Sequence, residues 1–312
     1  MIIVVSVQKS KFKRISIIII TVLFIYSAVS MLVTKLVYDR IFDRYDTQVP
    51  VPQALSEMTA QRQVVHYPSG ENTLTGYYYP AQQENPYGLA VLVPGFHAGA
   101  DNYLWQIQSL QDSGWAVFSF DPTGTFQSQG DSQIGFSQIL IDLEATLNYI
   151  EKNHSFGYNE LVLIGHSRGG YAACCVLSQN FDISAVVCVS GINSAMESVM
   201  EISTQKVGPI AYCNYGYLWL YQSTLFGRQL LNQQASEAIS QSDIPVLVVH
   251  GTQDQDAEES SVIAHKAQIA SDKVEYLYCV AGHTDLLYDS DGTANDQLMA
   301  DIQEFLLRSI DR

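Results

Sequence analysis

The sequence predicts an α/β protein: a mostly parallel, doubly wound sheet with helices on both faces, a small helical cap, and an N-terminal transmembrane helix. Three observations carry that expectation. Short apolar runs alternate with amphipathic stretches through residues 61–312, the cadence of parallel strands joined by crossover helices. About fifty residues, 191–240, break the cadence with a segment longer than a single crossover needs. Finally, the 19 residues from Ile15 to Val33 carry no charge.

In chain order, Lys9, Lys11, Lys13 and Arg14 mark residues 1–14 as a basic segment, expected on the cytoplasmic side. Residues 15–33 are long enough to cross a hydrocarbon core of about 30 Å. The expected topology is a single-pass signal anchor with the remainder of the chain outside the cytoplasm. A cleaved signal peptide and secretion are the alternative, with Tyr26-Ser27-Ala28-Val29-Ser30 as a weak cleavage region. Residues 34–60 read as a juxtamembrane connector broken by Pro50 and Pro52.

The folded domain, 61–312, opens with a hairpin whose arms, Gln63–Tyr67 and Leu74–Tyr79, flank a turn at Pro68–Asn72. Gly88–Val93, Trp115–Phe120, Leu161–Ile164, Ala185–Ser190, Ile244–His250 and Val274–Cys279 are expected strands. Helices are expected from Trp105, over Phe136–Lys152 with a stripe of Ile139, Leu143, Leu147 and Ile150, after Gly169, and through Leu298, Ile302, Phe305 and Leu306. In such sheets ligand chemistry sits beyond the carboxyl ends of the strands, and every motif below falls there.

Gly165-His166-Ser167-Arg168-Gly169 lies between an apolar strand and a run of small residues. A serine on a sharp strand-to-helix turn needs glycine two positions away on either side, where a side chain would collide with neighbouring elements. Serine is a poor nucleophile until a base takes its proton and an acid orients that base. Asp254 follows one late strand and His283 the next, giving the chain order Ser, Asp, His that accompanies this elbow. Asp256 competes with Asp254 but lies further into its loop, and after the preceding strand there is Asn193 rather than a carboxylate. His166 is expected to support the elbow, and Asp121 to brace a loop.

With Pro94-Gly95-Phe96-His97, Asp121 to Ser128, Gly165 to Gly169, His250 to Asp254 and Gly282-His283 in order, the chain resembles the α/β-hydrolase superfamily across about residues 60–310. Its capped esterase, monoacylglycerol-lipase-like and serine-aminopeptidase-like branches are the nearest in pattern. The resemblance implies an α/β-hydrolase fold with Ser167 as nucleophile, His283 as general base and then acid, and Asp254 as the orienting carboxylate. It also implies an oxyanion hole from the backbone N–H groups of Phe96 and Arg168. Thr123, Thr125 and Phe126 depart from the branch pattern, which has Arg, His and Gly there. His97 is open to two readings, substrate contact or a bond to a loop carbonyl. Tyr217 and Trp219 are expected to line a substrate pocket under the cap.

The function implied is a membrane-anchored serine hydrolase cleaving carboxylic esters of small or medium apolar substrates through an acyl-enzyme. A serine aminopeptidase or amidase with the same triad is the alternative, and an inactive binding protein on this fold a further one. The expected partners are a small ester and the membrane holding the N-terminal helix. Residues 47–312 carry nine basic and 29 acidic groups, a surface that repels nucleic acid. No metal-type spacing occurs and no cofactor is implied. The five cysteines, an odd number, read as thiols rather than a disulfide framework.

Overall fold

The computed structural model describes residues 2–257, 262–265 and 273–310. Its first element, α1, runs unbroken over Ile2–Ile41. Within it Phe12–Ile41 is long and apolar enough to cross a bilayer, with mean hydropathy 2.5. The expected connector therefore begins eight residues late: helix continues past Val33 because no glycine or proline intervenes before Pro50. Tyr38 and Phe42, one turn apart, are buried in the domain core.

The segment after α1 is woven into the domain rather than hanging as a tether. Phe42 packs edge-on against Phe96 and Phe136, with centroids 5.4 Å and 5.2 Å away. Tyr45 N–H donates to Gly124 O (3.0 Å) and Tyr45 O accepts from Phe126 N–H (3.1 Å). The Arg44 guanidinium donates to three loop carbonyls, those of Phe126, Ser128 and Gly130. A short helix, α2 (Ser56–Gln61), then leads to the sheet.

Eight strands form one sheet in the order β1-β2-β4-β3-β5-β6-β7-β8. They are β1 (Gln63–Ser69), β2 (Asn72–Tyr79), β3 (Leu89–Val93), β4 (Ala116–Asp121), β5 (Leu161–His166), β6 (Ala185–Val189), β7 (Val246–Gly251) and β8 (Val274–Cys279). β1 pairs antiparallel with β2, from Gln63 opposite Tyr78 to Ser69 opposite Asn72, and β2 pairs antiparallel with β4. All remaining pairs are parallel, so the ends of β3 to β8 share one edge of the sheet.

Alternate residues of β3 face opposite sides, and both sides are buried: Leu89, Val91 and Val93 join one core, Ala90 and Leu92 the other. On the second face lie α3 (Leu104–Asp112) and, at the end of the chain, the C-terminal helix. On the first lie α4 (Gln138–Lys152), α5 (Arg168–Cys175), the cap helix α6 (Ala195–Val207) and, beyond it, α7 (Tyr215–Leu231) and α8 (Ala235–Ser240). The C-terminal helix, α9 (Asp296–Ile310), buries Leu298, Ile302, Phe305 and Leu306, a 3.6-residue stripe worth roughly 1.5–3 kcal/mol per side chain.

The Asp121–Gln133 loop depends on Arg44, since three of its carbonyls turn to one guanidinium. Arg44→Ala is expected to cost about 1.5–3 kcal/mol, the range for bonds to a charged group. The urea midpoint should fall with an unchanged slope. A variant as stable as the parent would mean that water replaces the guanidinium at no cost.

Candidate active site

β5 ends at His166, and the chain turns through Ser167 at φ 56°, ψ −119° into α5. This left-handed conformation costs a non-glycine residue about 1–3 kcal/mol. Both flanking glycines are sterically required. A Cβ on Gly165 would lie 2.3 Å from Gly169 O, and one on Gly169 would lie 2.1 Å from Val93 O. The close approach of strand and helix leaves Ser167 at the N-cap of α5, with the helix N–H groups directed at the same region.

His283, in the loop after β8, places Nε2 2.9 Å from Ser167 Oγ and Nδ1 2.6 Å from Asp254 Oδ2. Asp254 follows β7, and its other oxygen accepts the backbone N–H groups of Asp256 (2.9 Å) and Ala257 (3.2 Å). Asp256 thus serves through its backbone, with its side chain exposed, and Asp254 is the carboxylate that reaches the imidazole. Burial pushes the Asp254 carboxyl up, but the His283 bond and charge and the two N–H donors outweigh it. The net effect holds the carboxyl below its ordinary range.

The backbone of His283 is held in turn. Its carbonyl accepts from Ser190 Oγ (2.9 Å), and His166 Nε2 lies 3.2 Å from it. On the far side of that ring, Nδ1 is 2.9 Å from Tyr103 Oη, which itself accepts the Gly95 N–H at 2.9 Å. Burial, then the neighbouring His283, holds the His166 imidazole down to about 3, so it is neutral near pH 7. The proton inventory fixes its tautomer: Tyr103 Oη–H donates to Nδ1, and Nε2–H donates to the His283 carbonyl. Neither Tyr103 nor Ser190 was singled out from the sequence. Ser190 stands at the carboxyl edge, where its position was a signal, whereas Tyr103 offered none.

Arg168 follows Ser167 in the chain, and Phe96 follows Gly95, the residue whose carbonyl the Arg168 side chain reaches. The buried Arg168 guanidinium donates through Nε to Gly95 O (3.2 Å) and sits 5.4 Å from the Phe96 ring centroid. Burial lowers it to about 10, against the pull of Asp142 and Tyr103, so it remains a cation. His97, at φ 57°, is stacked between Phe96 (3.8 Å) and Tyr45 (4.5 Å). Asp121 braces its loop: it accepts from Tyr77 Oη and the N–H groups of Ala100 and Gln127.

Of the cap aromatics expected to line a substrate pocket, Tyr217 faces α1 and Trp219 packs against the domain. Tyr217 Oη donates to Ser27 Oγ on α1 (2.9 Å), and its ring meets Tyr26 edge-on. The α1 helix lies along α7 and offers that side chain both an apolar face and a hydroxyl. Trp219 is half-buried against the first core, with the Arg228 guanidinium 5.1 Å from its ring. A cleft of about 650 Å³ between Val49–Val51 and β1–β2 holds none of Ser167, Asp254 and His283.

The depressed His166 sets a pH dependence. In the unfolded chain an imidazole takes up its proton near 6.5, whereas in the fold His166 stays neutral down to about 3. Between these values the unfolded state binds more protons, so stability falls as pH falls. Asp254 acts in the same direction. His166→Asn should be less stable than the parent near pH 7, yet lose less on going to about pH 4 in urea titrations. An equal or larger loss in the variant would remove His166 as a source of the acid sensitivity.

Residues 84–212 match the family model described as serine aminopeptidase, S33. Cutinase est1 and cutinase est2 of Thermobifida alba are each 26% identical over 110 residues, 35% of this chain and 36% of theirs. The match thus spans about a third of the length of those curated relatives. Among solved structures, an esterase of Pyrococcus furiosus superposes with TM-score 0.64 at 16% identity, over 86% of this chain and 98% of its own. Est1E of Butyrivibrio proteoclasticus, with ferulic acid bound, gives 0.61 at 16% over 80% and 100%. A proline iminopeptidase of Mycobacterium smegmatis gives 0.54 at 14% over 80% and 99%. A parallel sheet of this strand order, a serine at a positive-φ elbow after its fifth strand and these likenesses agree: the chain has the α/β-hydrolase fold.

Proposed function

We propose that the chain is a membrane-anchored serine hydrolase that cleaves carboxylic esters with small or medium apolar acyl groups. The observation that carries this reading is the unbroken line from Ser167 Oγ through His283 to Asp254. Ser167 passes its proton to His283 Nε2 as its oxygen bonds to the ester carbonyl carbon. The imidazolium formed is stabilised by Asp254, kept ionised by its three donors. The carbonyl oxygen gains a negative charge beside the N–H groups of Phe96 and Arg168. His283 then returns the proton to the leaving alcohol, and water repeats the sequence on the acyl-serine to release the acid.

Esterase structures among the structural likenesses support the ester reading. The S33 description of residues 84–212 supports amide cleavage by the same groups. The cap favours apolar acyl groups, because residues 207–227 contain no ionisable acid or base other than tyrosine and cysteine. The basic residues before Ile15 favour an N-terminus in the cytoplasm and a catalytic domain outside it.

Ser167→Ala and His283→Ala are each expected to lose on the order of 10⁴-fold or more in kcat with folding retained. Asp254→Asn should lose less than the serine change. Full activity in Ser167→Ala would end the assignment. A p-nitrophenyl ester series measured beside aminoacyl-anilides separates the two bonds, and faster anilide turnover would replace the esterase reading with the aminopeptidase one. Carbonate washing should leave the protein in the membrane, and protease added to intact cells should reach the domain. A mature chain starting near residue 31 would instead mark a cleaved signal.

A further inference from the structure

Between Lys206 and Arg228 the cap runs for 21 residues without a formal charge, and its tip is apolar and open. Val207, Ile210 and Tyr212 are 60%, 68% and 64% exposed, with Tyr215 beside them. A contiguous exposed patch of this kind marks an interaction surface. We propose that this tip, Val207–Tyr215, is seated in the hydrocarbon of the extracytoplasmic leaflet that holds the outer half of α1. The proposal rests on the anchor reading given above.

Contacts between the two helices fix the level. Tyr217 meets Ser27 and Tyr26, whereas four and five residues further on Tyr221 meets Lys35 and Asp39, and Gln222 meets Tyr38. Positions rise together along both helices, so α1 and α7 run in the same direction. The start of α7, and the tight helical turn Gly208–Asn214 before it, are therefore directed toward the residues that precede Ser27. Ser27 lies six residues inside Val33, the end of the uncharged run, which is about 9 Å at 1.5 Å per residue. Tyr217 thus lies at acyl-chain depth whenever α1 spans the bilayer, and Val207 and Ala211 line a cleft shared with Val33 at the outer end of the uncharged run.

The chemistry of the tip suits the boundary between hydrocarbon and headgroups. Tyr212, Tyr215 and Tyr217 have the amphipathic rings that collect where hydrocarbon meets headgroups. Lys206, at the last turn of α6, can extend its ammonium back to the headgroups. An apolar cleft of about 110 Å³ between Val33, Val37 and Ile41 of α1 and Val199, Met200 and Leu218 of the cap continues the same surface toward the domain.

Cys213, exposed within the tip, supplies the probe. Full-length protein carrying Cys279→Ser is labelled at Cys213 with bimane and placed in phosphatidylcholine vesicles brominated along the acyl chains. Two reference sites are labelled in a Cys213→Ser, Cys279→Ser background: Leu23→Cys on α1 and Asn148→Cys on the exposed side of α4. Quenching at Cys213 should approach that at position 23 and exceed that at position 148 several-fold. Strong quenching at position 23, with Cys213 no different from position 148, overturns the proposal and leaves the anchor intact. An unquenched Cys213 that is also shielded from water-soluble maleimide means a second copy of the chain covers the tip, and overturns it too. No quenching at position 23 removes the anchor reading itself.

Discussion

The contact on which the site depends is the near-touching of backbone at Gly165, Gly169 and Val93. Two positions where a Cβ would fall 2.3 Å or less from a carbonyl oxygen let β5 and α5 approach as closely as bare backbone allows. That approach forces the left-handed turn at Ser167 and lifts its side chain clear of the sheet. The strain is offset locally: all eight residues of α5 are buried, and Ser167 N–H is tied to Val189 O at 2.8 Å. Burial of Tyr171 and the neighbouring alanine and cysteine side chains contributes several times the cost of one strained residue. A loosened α5 would allow Ser167 to relax toward ordinary angles, taking Oγ away from His283.

The second constraint binds two loops to each other. Gly95 N–H, Tyr103 Oη, the His166 ring and the His283 carbonyl form one directional chain of hydrogen bonds. One end is the loop carrying Phe96, the other the loop carrying His283. A neutral His166 is essential to this polarity, since a protonated ring would offer Nδ1 as a donor to a tyrosine already turned to donate. Acid therefore disturbs the site through a side chain whose hydrogen bonds go to Tyr103 and the His283 carbonyl rather than to Ser167 Oγ. Phe42 and Tyr45, from the segment after α1, close the other side by packing on Phe96 and His97. The segment that follows the long apolar helix α1 thus packs directly on the loop that carries Phe96 and His97.

How much of this was legible in the sequence follows from the range of each interaction. Strands buried on both faces announce themselves as unbroken apolar runs, and α4 and α9 as 3.6-residue stripes, so the sheet and its covering helices were readable with end errors of a residue or two. Ser167, Asp254 and His283, the three side chains that meet at hydrogen-bond distance, were marked because each follows a strand at the same sheet edge. What could not be read depends on partners distant in the chain with no periodic pattern. Residues 42–46 show no repeat, and Arg44 finds its three carbonyls more than eighty positions away. Tyr103 reaches His166 across 63 residues. The neighbour of Tyr217 was not readable because an aromatic residue in a cap carries no sign of which neighbour it faces, and α1 was not expected to lie along α7.

Under the proposed anchoring, charge sets the tip and the body of the domain at different heights above the bilayer. Residues 47–312 have a net charge of −20, which anionic headgroups repel over a Debye length of about 8 Å at physiological salt. Between Val33 and Ile41 the helix continues for eight residues, lifting the core residue Phe42 about 12 Å beyond the end of the uncharged run. In that arrangement the acidic body would stand beyond most of the repulsion. Only a segment without formal charge can return across that gap, and residues 207–227 are such a segment. Ion pairs at the boundary are consistent with this division. Lys35 is matched by Asp39 one turn away, and Tyr221 bonds both, so the first charges after the uncharged run are neutralised between themselves. Under the proposed anchoring, a spacer of this length separates an acidic surface from a cap that faces lipid.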